Sequence, residues 1–256
     1  AIFERFTQTG ERRDCWDSMF DSVADGREPT DDEGKLLKDN IMRCLLGNEP
    51  TRFALCRKYF SMKDLMYIKN REIGTGCIGG KAAGMLLARN ILRDEAPELY
   101  SSRIEPHDSY YIGADVFYTY AVQSGLWGSR IRMIEAEDYL KYAPDIRELL
   151  LNGTFAPSIK EQFMSMLEYF GQSPIIVRSS SILEDGFGKA FAGKYESVFC
   201  PNQGSLKERY DDFERAVKQV YASTVDPDAI KYRAERKLLD RDEQMALLVM
   251  RVCGDV

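Results

Sequence analysis

The sequence predicts an α+β protein. Three features carry that expectation. Apolar residues recur at helical spacing through much of residues 12–70 and again at 81–92 and 206–220. Short runs of β-branched and aromatic residues occur at 109–112, 175–177 and 245–252. Glycine-rich turns separate one pattern from the other. At 256 residues, 44% hydrophobic and 30% charged, the chain can bury an ordinary core as one large or two modest domains. With 35 basic and 41 acidic side chains the formal charge is −6 and the pI about 5.1. No general attraction to nucleic acid or anionic lipid follows, so an anionic ligand has to be held by a local cluster. The longest apolar runs, such as Ala246 to Met250, are too short for a membrane span, and no signal peptide is evident; the default expectation is a cytoplasmic location. Six cysteines (Cys15, Cys44, Cys56, Cys77, Cys200, Cys253) form no C-x-x-C pair and read as reduced, mostly packing thiols. Because the chain starts at Ala1 and stops at Val256 directly after an apolar run, the natural protein is expected to extend further.

Residues 1–72 read as a charged helical extension, with Leu36, Leu37, Ile41 and Leu45 spaced for one helix face and turn residues from Gly26 to Thr30. Nothing in them suggests chemistry. The glycine-dense turn Gly74 to Gly80 leads into a helix over Lys81 to Leu92, whose apolar face includes Ala83, Leu86, Leu87 and Ile91 and whose first turn holds Lys81. Ser109 to Ile112 has the character of a short strand, and Asp115 to Gly125 resumes a helix. Two or three helices fill 135–170 as a supporting insertion, the last with Ile159, Phe163, Met166 and Phe170 at core spacing. After Pro174, Ile175 to Val177 read as a buried strand ended by Arg178 and three serines. A loop containing Gly186, Gly188 and Gly193 leads to a strand over Tyr195 to Phe199. Leu206, Tyr210, Phe213, Val217 and Val220 mark an amphipathic helix, and Met245 to Val252 an apolar strand.

Two segments carry chemistry. In Gly74 to Lys81 (GTGCIGGK), Gly74, Gly76 and Gly79 satisfy G-x-G-x-x-G, but Lys69, Asn70, Arg71 and Glu72 stand where a dinucleotide fingerprint needs a hydrophobic strand. A Walker-type loop needs a glycine at 75 and Ser or Thr at 82, and the chain has Thr75 and Ala82. What survives is a turn of small residues whose amides can approach a phosphate, with Lys81 at a helix start; a tight turn with a solvated lysine is the alternative. In Pro174 to Phe199, Arg178 offers a planar fork for phosphate, Ser179, Ser180 and Ser181 offer hydroxyls, and Phe191-Ala192-Gly193-Lys194 offers amides and a second cation. Glu184 and Asp185 are placed to orient Arg178 or bind metal; the alternative is that Arg178 merely pairs with one of them while the glycines make a hairpin.

IGGKAAGM at 78–85 resembles the glycine-glycine-lysine opening of the phosphoenolpyruvate synthase and pyruvate phosphate dikinase family, and VRSSSILEDGFGKAFAGKYESVF at 177–199 resembles its V-R-S-S-x-x-x-E-D…F-A-G-x-x-E-[ST] signature. The element from Pro106 to Gly125 and MALLVMRV at 245–252 resemble further parts, so the likeness spans roughly residues 73–256. It implies an ATP-grasp-like nucleotide-binding domain, here the first lobe, truncated at its C-terminus. It also implies that Lys81 and Arg178 are the catalytic phosphate contacts, that Gly79, Gly80, Ser179, Gly193 and Lys194 surround the phosphates, and that Met250 and Val252 lie beside adenine. Where that family often has glutamine, this chain has Met250, which leaves backbone groups to read the base. The implied partners are ATP with Mg2+, whose ligands are expected outside these residues, and phosphohistidine and pyruvate-binding domains of the same full-length chain. The single histidine, His107, lacks the phosphohistidine pattern and reads as a turn residue. The isolated chain is expected to be inactive, with a non-catalytic nucleotide-sensing or interaction module as the alternative. Pyruvate is the default acceptor; related front domains serve glucans or an antibiotic.

Overall fold

The computed structural model describes residues 15–23, 25–105, 108–136, 138–183, 185–186, 189–190, 193–239 and 245–252. His107, Glu184, Gly188, Phe191 and Ala192 lie outside the described residues, as do the side chains of 185–190. Contacts divide the chain into two compact units, Ala1–Asn70 and Arg71–Val256.

The first unit contains α1 (Cys15–Asp21), α2 (Asp32–Leu46), α3 (Pro50–Tyr59) and α4 (Met62–Lys69). Side chains fix where these helices begin. Asp31 accepts the Gly34 amide, Glu49 those of Thr51 and Arg52, and Ser61 forms a reciprocal capping box with Asp64. Ile41, Met42, Leu45 and Leu46 of α2 are buried in a core that also contains Cys56, Leu65 and Ile68. Leu36 departs from expectation at 58% exposure. The buried stripe runs through Ile41 and Leu45, and a residue five positions before Ile41 points well away from it at 3.6 residues per turn.

The second unit contains, in order, β1 (Glu72–Ile73), α5 (Gly79–Glu95), α6 (Pro97–Arg103), β2 (Ser109–Ile112), α7 (Ala114–Gln123), α8 (Leu126–Glu135) and a 3-10 turn (Tyr139–Tyr142). There follow α9 (Ala143–Asn152), α10 (Pro157–Phe170), β3 (Ile175–Ser181), the short strands β4 (Asp185–Gly186) and β5 (Lys189–Ala190), and β6 (Ser197–Cys200). The last elements are α11 (Leu206–Ala222), a second 3-10 turn (Ser223–Val225), α12 (Pro227–Glu235) and β7 (Met245–Arg251). The unit is α+β, with β1, α6, α8 and α12 among the elements not expected from the sequence. Its main sheet has the order β1-β2-β7-β3-β6, with β1 and β2 parallel and the other pairs antiparallel. The last described strand therefore lies at the centre of the sheet.

Each face of this sheet has its own cover. Ile112, Ile175, Val177, Cys200, Met245, Leu247 and Val249 belong to the main core with Phe117, Phe163, Phe213 and Tyr221 of the helices. On the opposite face α5 packs on β3 and β7 through small residues, with Ala82, Ala83, Leu86 and Leu87 buried. Strand β3 corrects one expectation. It does not end at Arg178 but continues to Ser181, which pairs with Met245. Apolar β7 extends the ladder that far, and serine, being small, fits beneath α5. The cysteines differ among themselves: Cys44 is exposed, whereas burial pushes the thiols of Cys56 and Cys200 up to about 11, as befits packing groups.

Candidate functional site

The two segments singled out in the sequence meet where α5 starts against β3. Gly79, with φ of +82°, lies so close to the strand that an added methyl would collide with the Ser180 carbonyl. The Ser180 hydroxyl, fully buried, donates to the Ile78 carbonyl at 2.8 Å and accepts the Ala82 amide at 3.0 Å. Gly79, Gly80 and Lys81 form the first turn of α5, and Ile78 before them provides no side-chain cap. Ser180 takes up the Ala82 amide, and the partial positive charge at this helix start is suited to an anion.

Lys81 reaches from that turn to the strand. Its ammonium donates to the Ser179 carbonyl at 2.8 Å and to the Ser179 hydroxyl at 3.2 Å, across 98 positions of sequence. Arg178 is the neighbouring strand residue, half-buried and interior to β3. Its guanidinium makes no hydrogen bond or ion pair among the described residues. The alternative pairing with Glu184 or Asp185 concerns side chains outside those residues. Pairing of β3 with β6 stops at Arg178 and Ser197, whereas pairing with β7 continues to Ser181. Among the described residues no strand pairs with the serine end of β3 on the side away from β7, and its three serines are buried.

Register defines what lies next to these cations. Directly opposed residues share a face, so Arg178 lies on the α5 side of the sheet together with a row formed by Phe199, Ile176 and Met250. Phe199 is 68% exposed, and Ile176 and Met250 are half-buried. Val252 lies just beyond β7, where its amide donates to the Pro174 carbonyl at 2.9 Å. Gly193 and Lys194 line a cleft of about 370 Å³ shared with Tyr195, Glu196, Asp226 and Asp228. Lys194 stands 5.9 Å from the Tyr232 ring centre, and no hydrogen bond or ion pair among the described residues joins it to Lys81 or Arg178.

Sequence reasoning did not single out Ile176, Phe199 or Asp115 as site residues. Phe199 was within reach, because it alternates with a buried Cys200 at a strand edge. Asp115 carried no local signal. Among the described residues no group of three or more His, Cys, Asp or Glu is placed to hold a metal ion, so no magnesium ligands are assigned.

The family model described as pyruvate phosphate dikinase, AMP/ATP-binding domain, matches residues 75–256, most of the chain and both segments of the site. No curated protein matches the chain.

Proposed function

The chain belongs to the pyruvate phosphate dikinase AMP/ATP-binding domain family, and from that premise we propose that it holds ATP at the seam between α5 and β3 as the donor for phosphoryl transfer. The observation that carries this reading is Lys81, in the first turn of α5, held on Ser179, the strand neighbour of Arg178. In this reading Lys81, first-turn amides from Gly79 and Gly80, and Arg178, the strand neighbour of Ser179, act together to offset charge on polyphosphate. In this reading the fold is the first lobe of an ATP-grasp-like domain. The row Phe199, Ile176 and Met250, with Val252, takes the adenine, and Gly193 with Lys194 belongs to a loop that covers the phosphates. The γ-phosphoryl group passes to a histidine on another domain and from there to an acceptor of the pyruvate class. Magnesium accompanies ATP and draws its protein ligands from elsewhere.

Calorimetric titration with magnesium-ATP tests the site. Lys81→Ala and Arg178→Ala are each expected to weaken binding by about 1–3 kcal/mol, the range for a lost charge-assisted phosphate contact. Unchanged affinity in both variants would move the nucleotide away from this seam.

A further inference from the structure

We propose that Asp115 is the positioning residue that shapes the glycine loop ahead of Lys81, an inference that rests on the nucleotide reading above. Asp115 is in the first turn of α7, and two segments of chain are wrapped around its carboxylate. A β-carbon at Gly74, Gly76 or Gly113 would stand 2.7, 2.8 or 2.5 Å from Asp115 Oδ1, too close in every case. Three glycines thus vacate one socket, and one carboxylate fills it. The Thr75 hydroxyl donates to Oδ2 at 3.3 Å, while Oδ1 is buried and has no hydrogen-bond partner among the described residues. Backbone bonds tie the same strands of chain together: the Gly113 amide donates to Ile73 at 2.9 Å and the Ala114 amide to Cys77 at 3.0 Å.

An acid in the first turn of a helix is unremarkable in itself, since it complements the helix dipole. The dipole does not account for burial or for the glycine socket. Burial raises the Asp115 pKa despite the amides of Thr75 and Val116 that face it, so the carboxylate is retained at a cost to stability. A loop with two glycines has many conformations available, and a fixed hub reduces them before ligand arrives. Asp115 holds residues 73–77, Ser180 holds 78–82, and Lys81 is thereby presented in one geometry.

The test uses the full-length protein and five forms of it: wild type, Asp115→Asn, Thr75→Val, Lys81→Ala and Arg178→Ala. Magnesium-ATP and adenosine are titrated into each, and thermal unfolding is followed in parallel. Asn fills the same space but has a single acceptor oxygen, so Asp115→Asn is expected to lose about tenfold in ATP affinity while adenosine changes by less than about twofold. Its melting temperature is expected not to fall. Thr75→Val should shift ATP affinity in the same direction by a smaller factor. Equal losses for ATP and adenosine would make Asp115 a structural residue only and overturn the proposal. ATP affinity unchanged in Asp115→Asn but reduced in Lys81→Ala would overturn it while leaving the nucleotide site standing. Unchanged affinity in Lys81→Ala, together with unchanged affinity in Arg178→Ala, would remove the nucleotide site from this seam, and the role of Asp115 with it.

Discussion

Gly79 and Ser180 show how little room the site leaves for substitution. Gly79→Ala combines a left-handed backbone with a clash against a carbonyl that belongs to the sheet, so neither partner can yield cheaply. Chemical denaturation should find it destabilised by about 3 kcal/mol or more, the sum expected of strain and overpacking. Ser180→Ala strands the buried Ala82 amide and frees the Ile78 carbonyl, and should cost about 1–3 kcal/mol. The glycines of the GTGCIGGK segment invited a ligand explanation, and the structure gives several of them an internal one. Gly79 clears Ser180, and Gly74 and Gly76 clear Asp115. A one-dimensional reading sees that glycine is needed but not what approaches it.

At the level of elements, the sheet is closed at one end by charges. Asp108, just before β2, accepts hydrogen bonds from Arg71 at 2.8 Å, Tyr169 at 3.1 Å and Arg251 at 3.0 Å, which brings together the lead-in to β1, the end of α10 and the end of β7. Burial pushes its pKa up, but the bonds from Arg251, Tyr169 and Arg71 outweigh that, and its carboxyl stays below the usual range. A carboxylate whose pKa is depressed by folding stabilises the fold above its unfolded value, near 3.8, and loses that contribution as pH falls through the folded value. Wild type should therefore exceed Asp108→Asn in denaturation midpoint at pH 6, and the gap should narrow toward pH 3. Asp115 has the opposite sign. Its raised pKa makes the ionised form unfavourable, so Asp115→Asn should be at least as stable as wild type at pH 7, with any advantage shrinking as pH falls through the raised folded value and gone below the ordinary value of 3.8. Helices α10 and α11 were legible because their apolar spacing is regular over several turns. The end of β3 was not, because three serines read as a loop until β7 is laid beside them.

For the whole molecule, the division at residue 70 and the family match from residue 75 fall close together. The large hydrophobic cluster is drawn entirely from residues 73–249. Residues 71–256 expressed without the first unit should accordingly unfold in one cooperative transition and keep their nucleotide affinity. Loss of the transition, followed by circular dichroism, would show that this unit depends on residues 1–70. The sheet brings distant sequence together at every level. The central strand β7 is paired with both β2 and β3, so the platform that carries Arg178 is completed only by the last described strand.

The sequence by itself determined the α+β class, the position of most helices and strands, and two motifs whose residue types suit phosphate. Local propensity, apolar periodicity and glycine placement are properties of neighbouring residues and survive in one dimension. Only the tertiary structure decided that Lys81 reaches Ser179 of β3, that Phe199 and Ile176 share the face of Met250, and that Asp115 fills the socket left by three glycines. Those relations depend on strand register and on close approach between segments dozens of residues apart, for which a linear pattern carries no coordinate.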